Sequence, residues 1–465
     1  MTLAKSVLSF KENYGQAMAV TAPLGSVVST STAAIVYAGT SVVFTTLLSL
    51  LASALWIYTL TRYSRKIASA GGFYTYSFSA WRSKKLSFAE ALTELFAYSM
   101  LNGVNAITNY LLVDIAFSIE GRSMPLWIGI VVIIGSVLYP TLISLTHIKK
   151  LMSYVVTMSA TAEAVLLIVL FIISLHNGFH FNYMIPSKNL SMGDIATAFV
   201  LTTVSISGAG AATYLGEETK DPTKNVAKGM WLALIIGGIS MFLGTYALVA
   251  LWNGSLSTLS NSPQPLLYET VTYGSITMFI ALVMSMNSLL SSNIGTTIGA
   301  ARVLYNLARE KAAPKFFLKT NKEGEPLLAT ITVASITAIV TVVSIFTLGI
   351  ALAFTEVSSV TGILWLLGRV FDGVGVPVFY WRIRELNVSS IIVPLVATSI
   401  NVWGDFTSII SMDVNQAIIL TSIAIITVIW YLKKARFGTP GRLVVDEKNE
   451  VIDVEEYLKK KVSAT

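Results

Sequence analysis

Twelve long apolar runs constrain this chain of 465 residues more than any motif in it. They lie near 14–40, 41–62, 88–118, 125–146, 150–175, 193–216, 228–252, 271–308, 326–348, 352–381, 389–411 and 414–432. Each is long enough to cross about 30 Å of hydrocarbon, which takes roughly 20 helical residues. Backbone in lipid must satisfy its own polar groups, and these runs lack the alternation of barrel strands, so they read as helices. With 54% hydrophobic and 12% charged residues and a mean hydropathy of +0.70, the chain has too little polar surface for a soluble protein. The expected fold class is an all-α polytopic membrane protein with twelve transmembrane helices in one membrane domain, 1–465.

Short cytoplasmic loops collect Lys and Arg. With the N-terminus inside, only Arg122 and Lys188 of the 32 basic residues fall outside, and Arg369 lies within a span. Both termini are therefore placed at the cytoplasmic side of a cell membrane. The net charge of +7 then describes contact with membrane lipid and needs no nucleic-acid partner. Cysteine is absent, which excludes disulfides, thiol catalysis and cysteine metal sites. There is no phosphate-cradling Gly-Lys-Ser/Thr loop, and the three histidines share no metal face, so neither an enzyme nor a metal is expected. The first run follows Lys5 and Lys11, but it is too long and hydroxyl-rich for a cleaved signal and is kept as a span. The tail, 433–465, mixes both signs of charge and reads as solvated.

Two stretches do not suit plain anchors. TAPLGSVVST, residues 21–30, puts Pro23, Gly25 and several hydroxyls inside span 1. SISGAGAATYLGEETKDP, residues 205–222, puts Gly208 and Gly210 inside span 6, where each glycine costs about 1 kcal/mol against alanine in a helix interior. Both spans are expected to be discontinuous. If spans 1–5 (14–176) form one repeat and spans 6–10 (193–382) another, the breaks match, and the odd count inverts the second repeat; 389–432 adds two helices. Matching interruptions in inverted halves point to a site at mid-membrane. After the first break, N–H groups on Ser26, Val27 and Val28 are expected to be free, at a helix end that attracts a carboxylate. Carbonyls around Thr21 and Ala22, and around Ser205 and Ile206, would accept from an ammonium. Together they suit a zwitterion such as an α-amino acid.

Glu163, in SATAEAVLL, has no basic residue within four positions. An ionised carboxyl at that depth costs about 2.5 kcal/mol or more and is a functional candidate, here as a proton carrier. On span 8, Ser292 and Thr296 stand one turn apart and offer oxygen ligands for Na+ or interhelical hydrogen bonds. Asn102, Asn105 and Asn109 make one polar face of span 3, to glue helices or touch a solute. Glu217 and Glu218 face inner loops with Arg62, Arg65 and Lys66, as an ion-pair gate or a helix-exit pair. Arg369 and Asp372, three apart on span 10, are expected to neutralise each other.

Four segments resemble those of the amino acid-polyamine-organocation superfamily of transporters. PLGSVV resembles its Gly-Ser-Gly type motif, and SAGGFYTYSFSA is similar to its inner Gly-Gly-aromatic segment. LGEETKDPTKNVAKGM is the most specific of the four, and ARVLYNLAREKAAPKFF looks like its arginine-led segment before a proline. The resemblance covers 10–432 and implies a leucine-transporter-type fold of two inverted five-helix repeats. It also implies secondary transport of amino acids or related amines, gripped at the two breaks. The motif's Gly and Ser fall on Gly25 and Ser26, and its last Gly on Val27. The bulky aromatic gate of many relatives falls on Val204, and an acidic residue that some have after the break falls on Gly210. With Thr21, Ala22, Ser205, Gly208, Ala209 and Asn102, these residues make the expected substrate site. Some members place a lysine near Glu163 that acts in place of sodium. The expectation is an alternating-access transporter in a single transport domain. It takes mostly neutral α-amino acids, since no acidic cluster lines either break, and is coupled to H+ through Glu163. Sodium coupling, exchange, or sensing without turnover are the alternatives. No cofactor beyond the coupling ion, H+ or Na+, is expected, and the oligomeric state is not set by the sequence.

Overall fold

The apolar runs fold as helices in the computed structural model, which describes residue 3 and residues 5–446 and 448–464. The chain opens with α1 (Phe10–Thr21), α2 (Pro23–Ser26), a π-helical turn (Val27–Ser31) and α3 (Thr32–Ala38). Gly39, at φ 52°, turns it into α4 (Val42–Ser64). Next come α5 (Phe73–Trp81), α6 (Lys84–Ile119), α7 (Leu126–Ser144), the short α8 (Ile148–Lys150) and, past a second π turn, α9 (Thr157–Ser174). Helix α10 (Met192–Ile206) runs directly into a 3-10 helix, Ser207–Glu218. After α11 (Pro222–Ala233), α12 (Ile239–Ala250) and α13 (Pro265–Val271) come the long helices α14 (Ser275–Arg309), α15 (Leu327–Leu348) and α16 (Ile350–Arg382). Helices α17 (Val388–Ser411) and α18 (Val414–Lys433) precede a hairpin of β1 (Leu443–Val445) and β2 (Val451–Asp453), and then α19 (Val454–Ala464).

The boundaries have local causes. Ser9 and Glu12 form a capping box at the start of α1. Pro23, Pro222 and Pro265 stand where a helix begins, a place where the missing N–H costs nothing. Asp413 caps α18 by accepting from the Gln416 N–H.

Among the described residues, ten helical stretches are long and apolar enough to cross a membrane. The first, Phe10–Ser64, has 55 residues and contains the turn at Gly39, so it has length for two crossings. Helix α6, 36 residues long, carries Glu90 and Glu94 within its apolar course. At the centre α6 packs on α14 and α16, around buried Trp56, Tyr63, Phe199, Tyr214 and Phe379. The rim is apolar as well: Phe346 is 86% exposed and Leu126 77%, a surface that only a lipid solvent tolerates.

The expected solvated tail is instead docked. Strand β1 pairs with the loop after α4, where the Val445 N–H donates to Ala68 O (2.7 Å) and the Ala68 N–H to Val445 O (3.1 Å). The Gly441 and Leu443 N–H groups donate to the Glu310 carboxylate at 2.8 and 2.9 Å, and Tyr74 Oη donates to it at 3.0 Å. Val444, Val454, Tyr457 and Leu458 are buried, so the charges that made the tail look solvated cover only one of its faces. Burial pushes the Glu310 carboxyl up to about 7, against the pull of its three donors.

Candidate substrate and coupling site

The first break is one residue wide. Ala22 sits in the left-handed region (φ 39°, ψ 71°), since Pro23 cannot continue α1, and the chain restarts as α2. Of the groups expected to be free there, those of Thr21, Ala22, Ser26 and Val27 are already used. The Ser26 N–H donates to Ala22 O at 2.8 Å, and Ser26 Oγ donates to Thr21 O at 2.6 Å, so one serine takes both carbonyls. The Val27 N–H bonds within its own turn, to the Pro23 and Leu24 carbonyls. Restarting at Pro23 rather than later moves the open donors upstream, to Leu24 and Gly25. The Gly25 N–H donates to Ser288 Oγ at 2.7 Å.

Glu163 closes that arrangement. Its carboxylate accepts from the Ser288 hydroxyl, from Ser159 Oγ (2.9 Å) and from the Leu24 N–H, and the residue is 1% exposed. The carboxylate therefore occupies the positive end of the second half of span 1, directly at Leu24 and through Ser288 at Gly25. This is the kind of position that the sequence assigned to a substrate carboxylate, filled here by the chain's own acid.

The second break is a change of winding, not a gap. The 3-10 helix from Ser207 to Glu218 is far longer than the three or four residues usual for that geometry. Its i to i+3 bonding continues from α10, so Ser205 and Ile206 do not end an open helix as expected. Ser205 Oγ and Thr30 Oγ1 lie 2.7 Å apart, joining the two spans. Gly208 lies against the first break: a methyl group there would come within 2.9 Å of the Thr21 nitrogen and the Val20 carbonyl. Ala209 and Val204 are fully buried, and Gly210 lies against Leu60 and Phe73. Trp365 Nε1 reaches Ser207 Oγ at 3.1 Å, and its ring packs on Tyr98 at 4.8 Å between centroids.

The other expected residues divide between helix pairing and the end of the 3-10 segment. Asn102 accepts from the Thr296 hydroxyl and donates to Thr297 Oγ1 at 3.1 Å, while Asn105 donates to Asn293 Oδ1 at 2.9 Å. Thr296 thus faces α6, and the span 8 hydroxyl that faces the break is Ser288, one turn before Ser292. Ser288, Ser292 and Thr296 form one stripe at four-residue spacing along span 8, and Ser288 is its member at the break. Glu218 forms a two-pronged pair with Arg302 (2.6 and 2.7 Å), which also holds Glu325 at 3.0 Å, and Glu217 pairs with Arg309 at 2.5 Å. Their partners are the arginines of α14, not Arg62, Arg65 and Lys66, because α14 packs beside the 3-10 segment. Lys66 pairs instead with Glu385 at 2.5 Å. Arg369 and Asp372 form no ion pair among the described residues. The guanidinium lies over Trp56 and Trp365, 5.4 and 5.2 Å from their ring centroids, and this draws it from the acid three residues on.

Residues 16–437 match the family of amino acid permeases. The chain belongs to that family. That family is one of transporters and not of enzymes. The permease is 25% identical over 265 residues to the low-affinity putrescine importer PlaP of Escherichia coli K12, across 54% of this chain and 56% of the importer. It is 24% identical over 205 residues to the lysine-specific permease LysP of Lactococcus lactis (42% of this chain, 38% of LysP). It is 30% identical over 159 residues to the histidine permease HisP of the same species (32% and 33%). The matched segments thus span about half or less of each relative's length.

Proposed function

We propose that the permease is a secondary active transporter of α-amino acids, mainly neutral ones, driven by proton symport through Glu163. In this reading the twelve runs form two inverted repeats, 14–176 and 193–382, with two added helices, 389–432, and a cytoplasmic tail, 433–465. Both termini lie inside. The reading is supported by the contact of Gly208 with the Val20–Thr21 backbone, which joins the first spans of the two repeats at their interruptions. The substrate site would comprise Thr21, Ala22, Gly25, Ser26, Val27, Val204, Ser205, Gly208, Ala209 and Gly210, with Asn102 behind it.

The observation that carries the coupling role is the seat of Glu163 on Leu24 N–H and Ser288. Ionised, it holds the restart of span 1 closed. Protonated, it has lost the charge that the helix end attracts, and the donors pass to the carboxylate of an arriving amino acid. A proton and a substrate thus enter together. Ser292 and Thr296 would serve only in the alternative, sodium-driven mechanism, and Glu217 and Glu218 would close the cytoplasmic side on Arg309 and Arg302. A second substrate reading, a cationic amino acid or diamine, draws on the lysine, histidine and putrescine specificities in the names of the relatives.

The deciding experiment is uptake of a labelled amino-acid and diamine panel into proteoliposomes under a proton gradient, a sodium gradient or none, with wild type and Glu163→Gln. Concentrative uptake driven by protons and lost in the variant is expected. Sodium-driven uptake that survives the variant would overturn the assignment. Uptake that needs internal substrate would mark an exchanger, and binding without flux a sensor.

A further inference from the structure

A second group of buried acids lies between α6, α16 and α17. Glu90 and Glu94 stand one turn apart on α6, Asp372 is on α16 and Asp405 on α17, and each is at most 5% exposed. Arg369 is the one basic side chain interacting with them among the described residues, and it lies over tryptophan rings. Four carboxyls against one guanidinium cannot all be charged at this depth.

The geometry says which of them holds a proton. The Glu90 and Asp372 carboxyls are within hydrogen-bonding reach of each other; Glu90 also faces the Ser77 hydroxyl, while neither Asp372 oxygen has a donor among the described residues unless Glu90 supplies the hydrogen. Two carboxylates only accept; a bond between them exists only when one carries a hydrogen. Arg369 Nη1, buried and without a hydrogen-bond partner among the described residues, adds to this. We propose that Glu90 and Asp372 share one proton and form a proton-binding site separate from Glu163. Binding takes one H+ from water onto the pair, and release returns it.

The pair has a physical route to the second break. Glu94 accepts from Tyr214 Oη at 2.7 Å, and Tyr214 belongs to the 3-10 segment. Tyr98 packs on both Tyr214 and Trp365, and Trp365 reaches Ser207. Beside Glu94, Tyr98 and Arg369 lies a small cavity with room for a single water. That space is too small for a hydrated metal ion. The other titratable groups facing the pair are Tyr63 on α4, whose hydroxyl donates to the Asp372 carbonyl at 3.0 Å, and Tyr76 on α5. In proteins, tyrosine stays neutral where carboxyls titrate.

The part this pair plays in transport rests on the reading of the permease as gradient-driven, but proton binding itself does not. The test is infrared difference spectroscopy of the full-length permease in lipid vesicles, titrated from acid to alkaline pH. A titrating protonated-carboxyl band is expected in wild type and in Glu163→Gln, and is expected to be lost or displaced in both Glu90→Gln and Asp372→Asn. A band unchanged in either of these variants, or one removed by sodium at fixed pH, overturns the proposal. Should the variants not fold, wild type carrying carbon-13 aspartate decides: the band moves if Asp372 shares the proton and stays if it does not. Proton-driven uptake with no band from the pair would sink this inference alone. A titrating band without proton-driven uptake would sink only the coupling mechanism proposed for Glu163.

Discussion

Glu163 and the Glu90–Asp372 pair are the same chemistry in opposite settings. Both are carboxyls buried among helices, but Glu163 has three donors, whereas Glu90 faces only Ser77 and Asp372, and Asp372 only Glu90, among the described residues. The first is a charge accommodated by a helix end; the second is an accommodation that works only with a proton present. Depth makes an acid noticeable, and its partners decide what it does.

The largest effect expected concerns a third acid setting, which calibrates the other two. Arg302→Met strips Glu218 and Glu325 of their buried partner and should cost about 3–5 kcal/mol, read as a lowered melting temperature in detergent. The double variant Glu90→Gln with Asp372→Asn should melt at or above the wild-type temperature, since it removes a demand for a proton and no ion pair. Equal losses in the two proteins would erase the contrast. Glu163→Gln leaves no group there to carry the proton, so concentrative proton-driven uptake into proteoliposomes should be lost. Ser288→Ala keeps the acid but cuts its link to Gly25, and about a tenfold loss is expected in the same assay.

The smallest effect is at the docked tail. Glu310 has its carboxyl raised from 4.5 to about 7 when covered, so the docked form holds its proton more tightly than a detached one would. The contribution of this group to docking is therefore complete below about 4.5 and is lost as pH rises through about 7. Protease cleavage within 442–453 should accelerate across that window in wild type, and much less so in Glu310→Gln.

The helices were legible because lipid imposes length and hydrophobicity on every crossing. The first break was legible too, since Pro23 allows few backbones. The second showed as small residues but not as 3-10 winding, which depends on what Gly208 lies against. Glu163 stood out as an acid in an apolar run, but its partner Ser288 is 125 residues away and no local pattern joins them. Spacing paired Arg369 with Asp372 because it registers helix faces and not the tryptophans that compete for the guanidinium. The tail failed for a related reason: mixed charge marks a wet face and is silent about the dry one.

The winding of Ser207–Glu218 has a mechanical consequence. At about 2.0 Å per residue, twelve residues of 3-10 helix measure about 24 Å, whereas the same residues as α-helix, at about 1.5 Å, measure about 18 Å. Rewinding this one segment would draw its acidic end about 6 Å along the axis, with no hinge and no tilt. A rod that changed length by a full turn would act as a piston, and the far end of this one is clamped to Arg302 and Arg309.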